Sequence, residues 1–166
     1  SNVDELGRID AIAGDGDHGI GMQRGVSAGE AAAAQVVAAG AGAQTVLDWA
    51  ADAWSDRAGG TSGALWGAAL SAVGSALGNS GTPTAETVAD GVRRATAAIG
   101  EFGAVVGDKT MVDALVPFSD ELSARVAAGD SLTPAWTAAA RVSTEAAAAT
   151  ATLLPQMGRA RPHAEK

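Results

Sequence analysis

The chain has 166 residues, of which 47% are hydrophobic and 18% are charged, and its formal net charge is −8. This length fits one domain, residues 1–166, with a sizeable core, and so apolar a composition excludes a disordered chain. The acidic balance and the lack of a basic stripe exclude nucleic-acid binding, and no apolar stretch is long enough to cross a bilayer. The absence of cysteine excludes disulfides and thiolate chemistry and favours the cytoplasm.

Alanine dominates the sequence, and strand-like alternation is nearly absent, which predicts an all-α protein. The first predicted helices cover residues 20–39 and 62–78. Between them an amphipathic helix is predicted around residues 46–56. Its core face is predicted to contain Val46, Trp49, Ala50, Ala53 and Trp54, and its solvent face Asp48, Asp52, Ser55 and Asp56.

The second half of the chain predicts three more helices. One opens at Thr82-Pro83, an N-cap followed by proline, and carries the apolar stripe Val88, Val92, Ala95 and Ile99. Another covers residues 111–128, and a last one opens at Thr133-Pro134 and runs to about Leu154, before Pro155. Short glycine-rich breaks between helices of similar length predict antiparallel neighbours, and hence a helical bundle.

The segment "DAIAGDGDHG", residues 10–19, concentrates three acids, Asp10, Asp15 and Asp17. Carboxylates are hard ligands for Mg²⁺ or Ca²⁺, and Gly14 and Gly16 let the backbone turn so that the acids converge. An EF-hand loop is excluded, because the fifth position from Asp15 lacks an acid or Asn and the sixth lacks glycine. The alternative is an Asp-Gly turn that caps the following helix. Both interpretations stay open at this point.

The segment "AGGTSGALWG", residues 58–67, predicts a helix start that could bind an anion. Gly59 and Gly60 expose backbone N–H groups, and Thr61 or Ser62 can cap the helix that begins there. The alternative is a simple turn between two helices, because many such turns have this composition.

Two later segments carry weaker signals. "GAVVGDKTMVD", residues 103–113, approaches a phosphate-binding P-loop but fails it, because Asp108 interrupts the motif and no strand precedes it. Asp108, Lys109 and Asp113 can instead be solvated surface residues. "MGRARPHAEK", residues 157–166, offers Arg159 and Arg161 as forked donors for phosphate, although a basic tail is usually only solvated.

Taken together, convergent carboxylates, a glycine-hydroxyl helix start and an arginine are the parts that a metal–polyphosphate site needs. Mg²⁺ keeps few protein ligands and shares its coordination sphere with phosphate oxygens. The acids would hold the metal and the arginine would balance the remaining phosphate charge. A helical bundle with a purely structural cation is the simpler alternative.

Four segments, in this order, resemble the nucleotide-binding L domain of dihydroxyacetone kinases: "LGRIDAIAGDGDHGIGMQRG", "GGTSGALWG", "GDKTMVDALVP" and "MGRARPHAEK". The resemblance covers essentially the whole chain. It implies a barrel of antiparallel amphipathic helices that holds ATP or ADP at one end through two Mg²⁺ ions. Because the chain begins without Met and almost inside the first motif, we expect it to be a fragment of a longer kinase or one subunit of a complex.

The resemblance also implies roles for individual residues. Asp10, Asp15 and Asp17 match the aspartates that coordinate Mg²⁺ between the phosphates. The remaining matched residues lie beside the nucleotide: His18, Gly19, Gly21 and Met22 in the turn after the acids, Gly60, Thr61 and Ser62 at the phosphates, Met111 against the adenine, and Arg159. Gly21 stands where some relatives have Asn.

In that family the ketose is held by a separate K domain or subunit, and nothing in this chain resembles it. The resemblance therefore implies an ATP-binding half that is inactive alone, with dihydroxyacetone or erythrulose as acceptor and a possible homodimer formed through the K domain. It assigns no catalytic residue to this chain. The alternative within the family is an L subunit that keeps its ADP, is rephosphorylated by the phosphotransferase system and also acts as a regulatory adaptor.

Overall fold

The computed structural model of the protein describes residues 2–163, and these contain α-helices, short 3₁₀ turns and no strand. The all-α prediction is confirmed. The helices are α1 (Val3–Asp10), α2 (His18–Ala38), α3 (Ala43–Ala58), α4 (Gly60–Leu77), α5 (Ala85–Gly100), α6 (Val112–Ala127) and α7 (Leu132–Ala149). Within the described residues, no helix combines the length and the apolar character that a membrane span needs.

The helices group into two compact units, residues 1–80 and 81–166, and the boundary along the chain falls in the predicted glycine-rich break at 78–84. In the first unit, α3 packs against α2 on one side and α4 on the other. Gly21 lies against Ala58 and Gly29 against Ala50, so α2 and α3 are antiparallel. Gly63 lies against Ser55, and Gly74 against Leu47, so α3 and α4 are antiparallel too. The predicted antiparallel order holds within this unit.

The predicted core face of α3 is wrong in part, because this helix has two packed faces. Ala50 and Ala51 are buried, whereas Trp49 is 46% exposed. Asp48, predicted to face water, accepts a hydrogen bond from Ser71 of α4 at 3.0 Å. Ser55, also predicted to face water, donates to the carbonyl of Gly63 at 3.3 Å. A single apolar stripe describes a helix that packs on one side, and α3 packs on two.

The second unit has its core between α5, α6 and α7. Leu122, Ala135 and Ala139 are fully buried, and Ala89 and Val126 join them. Phe118 and Trp136 meet edge to face with ring centroids 4.9 Å apart, a favoured aromatic geometry. The predicted stripe of α5 is confirmed at its end, because Ile99 is buried, and Val92 packs against the core.

Two predicted helix starts are wrong by two residues. The N-cap of α5 is Thr84, whose hydroxyl accepts from the amide of Thr87 while the Thr87 hydroxyl accepts from the amide of Thr84. Thr82 could not form this reciprocal cap, because alanine stands three residues after it. The N-cap of α7 is Ser131, which puts Pro134 at the third helical position, where a missing N–H still costs nothing.

The other differences concern α1 and the end of α7. Helix α1, which brings Asp10 to the acidic loop, was not predicted. Helix α7 ends at Ala149 rather than near Leu154, and a 3₁₀ turn, Thr150–Thr152, follows it. The hydroxyls of Thr150 and Thr152 donate to the carbonyls of Ala147 and Ala149, which competes with continuation of the helix.

The close approach of α2 to α3 predicts a strong penalty for Gly25→Ala. A Cβ atom at Gly25 would lie 2.8 Å from the Cβ of Ala58 and 3.0 Å from the indole of Trp54. We expect the free energy of unfolding to fall by about 1–3 kcal/mol, as in other overpacked cores. Urea denaturation followed by circular dichroism measures it.

Gly100→Ala is the matched control, because Gly100 is also helical and no atom lies within 4 Å of an added Cβ there. This variant should be as stable as the wild type or slightly more stable. Equal stability of the two variants would contradict the packing of α2 on α3.

Candidate functional site

The three acids predicted to bind a metal converge in the structure. Asp10 is the last residue of α1, Asp17 is the N-cap of α2, and Asp15 lies in the loop between them. Each offers a carboxylate oxygen, and the three oxygens lie within 4.8 Å of one another. Asp10 is half-buried, and Asp15 and Asp17 are exposed.

The glycines of this loop allow the convergence. Gly16 adopts a left-handed backbone with φ of 79°, and its N–H donates to the Asp10 carboxylate at 2.8 Å. Gly14 lies so close to Asp10 that an added Cβ would be 2.5 Å from Oδ1. The loop is therefore folded around the Asp10 side chain, and this holds Asp15 and Asp17 beside it.

This geometry suits a divalent cation. Carboxylates at such separations repel one another by roughly 1 kcal/mol for each pair even in water, and a cation at their centre reverses that sign. The carboxylate of Asp17 makes no capping hydrogen bond to α2. Asp17 thus occupies the N-cap position, as the alternative of an Asp-Gly turn expects, but without the side-chain hydrogen bond of a cap.

The residues that follow the acids form the first turns of α2. His18 begins the helix and is half-buried, as is Met22. Gly19 is buried against the backbone of Val3 in α1, and Gly21 faces the carbonyl oxygen of Ala58 in α3. Both glycines thus have a packing role in the structure, and contact of these four residues with a nucleotide stays a prediction.

The "GGTS" segment lies at the same end of the first unit as the acidic loop. Helix α3 ends at Ala58, which contacts the first turn of α2 at Gly21, and α4 begins two residues later at Gly60. Gly59 and Gly60 have φ of 67° and 58°, so both positions favour glycine. The chain reverses here in one residue.

The predicted cap of α4 is wrong. Gly59 is the N-cap, without a side-chain hydrogen bond, and Thr61 and Ser62 lie in the first turn instead. Thr61 is exposed and Ser62 is half-buried. The amides of Gly60, Thr61 and Ser62 belong to a first turn, where N–H groups have no intrahelical acceptor, so the segment keeps its capacity to bind an anion.

In the second unit, the "GDKTM" loop is tied to the segment that precedes Arg159. The amide of Gln156 donates to the carbonyl of Asp108, and the ammonium of Lys109 donates to the carbonyl of Leu153, both at 3.0 Å. Met111 is half-buried immediately before α6, and Arg159 is exposed in a turn. The last three residues of the "MGRARPHAEK" motif lie outside the described residues.

Sequence reasoning missed the role of Asp113. It was predicted as a possible surface residue, but it is 6% exposed, and its carboxylate accepts from the amides of Gly107 at 2.6 Å and Thr110 at 2.8 Å. The Thr110 hydroxyl accepts in turn from the amide of Val112. The N-cap of α6 is Met111, so this is not a full capping box. The pattern Thr-x-x-Asp before an apolar run nevertheless indicates an acid that accepts from the threonine amide, and it could have identified Asp113.

Comparison with known proteins identifies the family of this chain. The family model described as DAK2 domain matches residues 12–166, and the chain belongs to this family. The match includes Asp15 and Asp17 but begins two residues after Asp10. The identification of the family by resemblance is confirmed.

Three curated relatives are kinases by name. L-erythrulose kinase of Pectobacterium atrosepticum is 59% identical over all of this chain, and D-erythrulose kinase of Mycolicibacterium smegmatis is 56% identical over 98% of it. L-erythrulose 1-kinase of the latter organism is 50% identical over 99%. This chain spans only 28–29% of the length of these relatives.

The buried Asp113 predicts a pH-dependent contribution to stability. Burial opposes ionisation, but the backbone amides of Thr110 and Gly107 outweigh it, and the pKa of Asp113 is lowered. The stabilisation by this carboxylate is present above the unfolded pKa of about 4 and is lost as pH falls through the lower folded value. Asp113→Asn should cost about 1–3 kcal/mol at pH 7, because the amide group cannot accept both bonds.

Denaturation of the two proteins between pH 7 and pH 3 measures this difference, which should shrink on acidification. Asp120→Asn, an exposed aspartate on the same helix, is the control and should change stability little. A cost for Asp113→Asn that stays constant across this pH range would show that the loss does not come from the charged carboxylate.

Proposed function

We propose that this chain is the Mg-nucleotide-binding domain of a ketose kinase, with residues 1–166 acting as one nucleotide-binding domain. The observation that carries the proposal is the convergence of Asp10, Asp15 and Asp17 on one another at the end of the unit that also carries the "GGTS" helix start. Membership of the DAK2 family and three relatives named as erythrulose kinases support it.

The three aspartates are the residues that would hold Mg²⁺. The family resemblance implies two such ions. The hard oxygen atoms of the aspartates and their separation fit this ion, which keeps few protein ligands. Bound there, Mg²⁺ would neutralise phosphate charge in a domain whose own net charge of −8 repels a nucleotide.

The other parts of the proposed site orient the nucleotide. The first-turn amides of α4 and the hydroxyls of Thr61 and Ser62 bind phosphate oxygens, and the Arg159 guanidinium balances their charge. Met111 provides an apolar contact for the adenine. The start of α2 lies beside the nucleotide with His18, Gly19, Gly21 and Met22. Gly60, the first residue of α4, lies at the phosphates. Positioning and charge stabilisation are most of what phosphoryl transfer asks of a protein.

The acceptor hydroxyl is presented by a different part of the kinase. We assign no general base to this chain, and we place the ketose on a K domain or subunit, through which a homodimer can form. The share of the relatives' length that lies outside this chain leaves room for such a domain. Erythrulose is the acceptor that the relatives' names favour, with dihydroxyacetone as the related possibility, and a cytoplasmic site of action fits both.

Between an ATP-consuming enzyme and the ADP-holding adaptor, we propose the enzyme, because the relatives are named as kinases. The two differ in one property: the kinase must exchange bound ADP for ATP, and the adaptor keeps its ADP. Mass spectrometry of the purified protein, before and after incubation with excess ATP, distinguishes them. Complete replacement of ADP by ATP is the result expected here.

The central test is the effect of Asp15→Asn on nucleotide affinity. Calorimetric titration of the wild type with ATP should show binding with Mg²⁺ and none with EDTA. Asp15→Asn should weaken the Mg-dependent binding by more than about 100-fold. Even the loss of a residue that only hydrogen-bonds to a metal ligand typically lowers metal affinity by about 10- to 100-fold. Circular dichroism checks that the variant is folded.

Asp52→Asn is the matched control, because Asp52 is an exposed aspartate of the same unit on α3, outside the acidic loop. It removes the same charge and should leave the affinity unchanged. Equal affinity of Asp15→Asn and wild type, or binding that persists in EDTA, would refute the metal–phosphate site.

The acceptor is tested on the complete kinase that contains this chain. We expect ATP-dependent phosphorylation of erythrulose with a larger kcat/KM than for dihydroxyacetone, measured by coupled detection of ADP. A complete kinase that phosphorylates neither ketose would contradict the assigned acceptor class, while the nucleotide titration would still stand on its own.

A further inference from the structure

A shallow groove on the first unit is lined by two arginines from different helices. Its volume is about 560 Å³, and its walls are Gln23, Arg24, Ser27 and Ala28 of α2 together with Arg57 of α3. The four residues of α2 follow the spacing of one helical face. Both arginines are exposed, so their guanidinium groups are accessible from solvent.

These arginines hold the positive charge of the first unit that no carboxylate neutralises. Residues 1–80 contain nine acidic residues and three arginines, a formal net charge of −6. Arg8 pairs with Glu5 at 2.7 Å. Arg24 and Arg57 form no ion pair in the part of this unit that the structure describes. A strongly acidic unit thus presents one cationic groove.

The groove borders the end of the unit that carries the acidic loop. Gly25, next to Arg24 in sequence, packs on Ala58, which follows Arg57. Ala58 also meets Gly21 in the first turn of α2 and precedes the "GGTS" segment. Arg24 lies seven residues after Asp17, which corresponds to about 10 Å along α2. A partner bound in the groove therefore lies beside the candidate metal and phosphate site.

We propose that this groove docks carboxylate side chains of the ketose-holding part of the same kinase, a proposal that rests on the proposed function. The acceptor has to reach the end of the unit where the phosphates are held, so the part that holds it docks around that end. The unit as a whole is acidic and repels an acidic surface, whereas two guanidinium forks bind carboxylates with defined geometry. The two arginines thus fix the orientation of the docked part.

A protein surface fits the groove better than a free anion. The groove is open, both arginines are in water, and such exposed charges bind a single small anion weakly. A partner that makes several contacts at once compensates for the weakness of each one. More than two thirds of the length of the relatives lies outside this chain and can contain such a partner. Charged groups at the rim of an interface act chiefly on orientation and on rate.

The test uses the complete kinase with the double substitution Arg24→Gln/Arg57→Gln. We expect turnover with saturating Mg-ATP and ketose to fall roughly tenfold, while the Kd for Mg-ADP, measured by calorimetry, changes less than twofold. The wild-type turnover should fall as NaCl is raised, and the variant should respond less, because the screened interaction is already lost. Arg24→Lys/Arg57→Lys, which retains the charge, should recover part of the turnover.

The matched control is Arg8→Gln/Arg141→Gln, which removes the same charge from two exposed arginines that pair within their own helices. Its turnover and salt response should equal those of the wild type. A groove variant that behaves like this control overturns the proposal. A parallel loss of Mg-ADP affinity also overturns it, because the arginines would then serve the nucleotide. Failure of the wild type to bind Mg-ADP would instead refute the proposed function itself.

Discussion

The contact between the first turns of α2 and the last turn of α3 is the constraint on which the first unit depends. Gly21 lies against the carbonyl oxygen of Ala58, and Gly25 lies against the Cβ of Ala58 and the indole of Trp54, so neither position has room for a side chain of its own. Because α3 ends at Ala58 and α4 starts at Gly60, this contact also fixes where α4 begins. The loop that carries the three aspartates precedes α2 directly. One close approach of backbones therefore brings an acidic loop and a helix start to the same end of a unit.

Much of this fold could be predicted from the sequence, because most helices carry a clear period and are separated by glycine-rich breaks. The errors have two physical causes. Helix α3 was assigned one apolar face, whereas alanine and serine on its second face, at Ala51 and Ser55, pack against glycines of α4. Small residues pack without appearing in a hydrophobic stripe. The start of α5 differs from the prediction because the reciprocal hydrogen bonds of Thr84 and Thr87 outweigh the Thr-Pro signal. Helix α7 starts two residues before its Thr-Pro pair, at Ser131, whose side chain makes no capping hydrogen bond.

Some residues of the candidate site could also be predicted from the sequence, and others could not. Three acids separated by glycines predicted the convergence of Asp10, Asp15 and Asp17, since that signal is local and the loop closes on itself through Gly16 and Asp10. The Thr-x-x-Asp pattern indicates the bond from Thr110 to Asp113, but the burial of Asp113 and its bond from Gly107 depend on how the preceding loop folds. The roles of Met111 and Arg159 rest on resemblance alone, since no local pattern specifies an adenine contact or a phosphate ligand. Local chemistry is visible in sequence, and the geometry of distant segments is not.

The charge of the chain links these features. A domain with a net charge of −8 is poorly suited to attract a polyanion, and its carboxylates are most concentrated where the phosphates are proposed to bind. Under the proposed function a cation mediates between the two sets of negative groups, and nucleotide affinity then depends on the metal. The same argument assigns the arginines at positions 24 and 57 to another task. These two side chains lie outside the acidic loop and line an open groove beside α2 and α3. In this proposal nucleotide binding depends on the metal and on the acidic loop, whereas partner binding depends on the two arginines. Each of the two affinities is therefore set by its own residues.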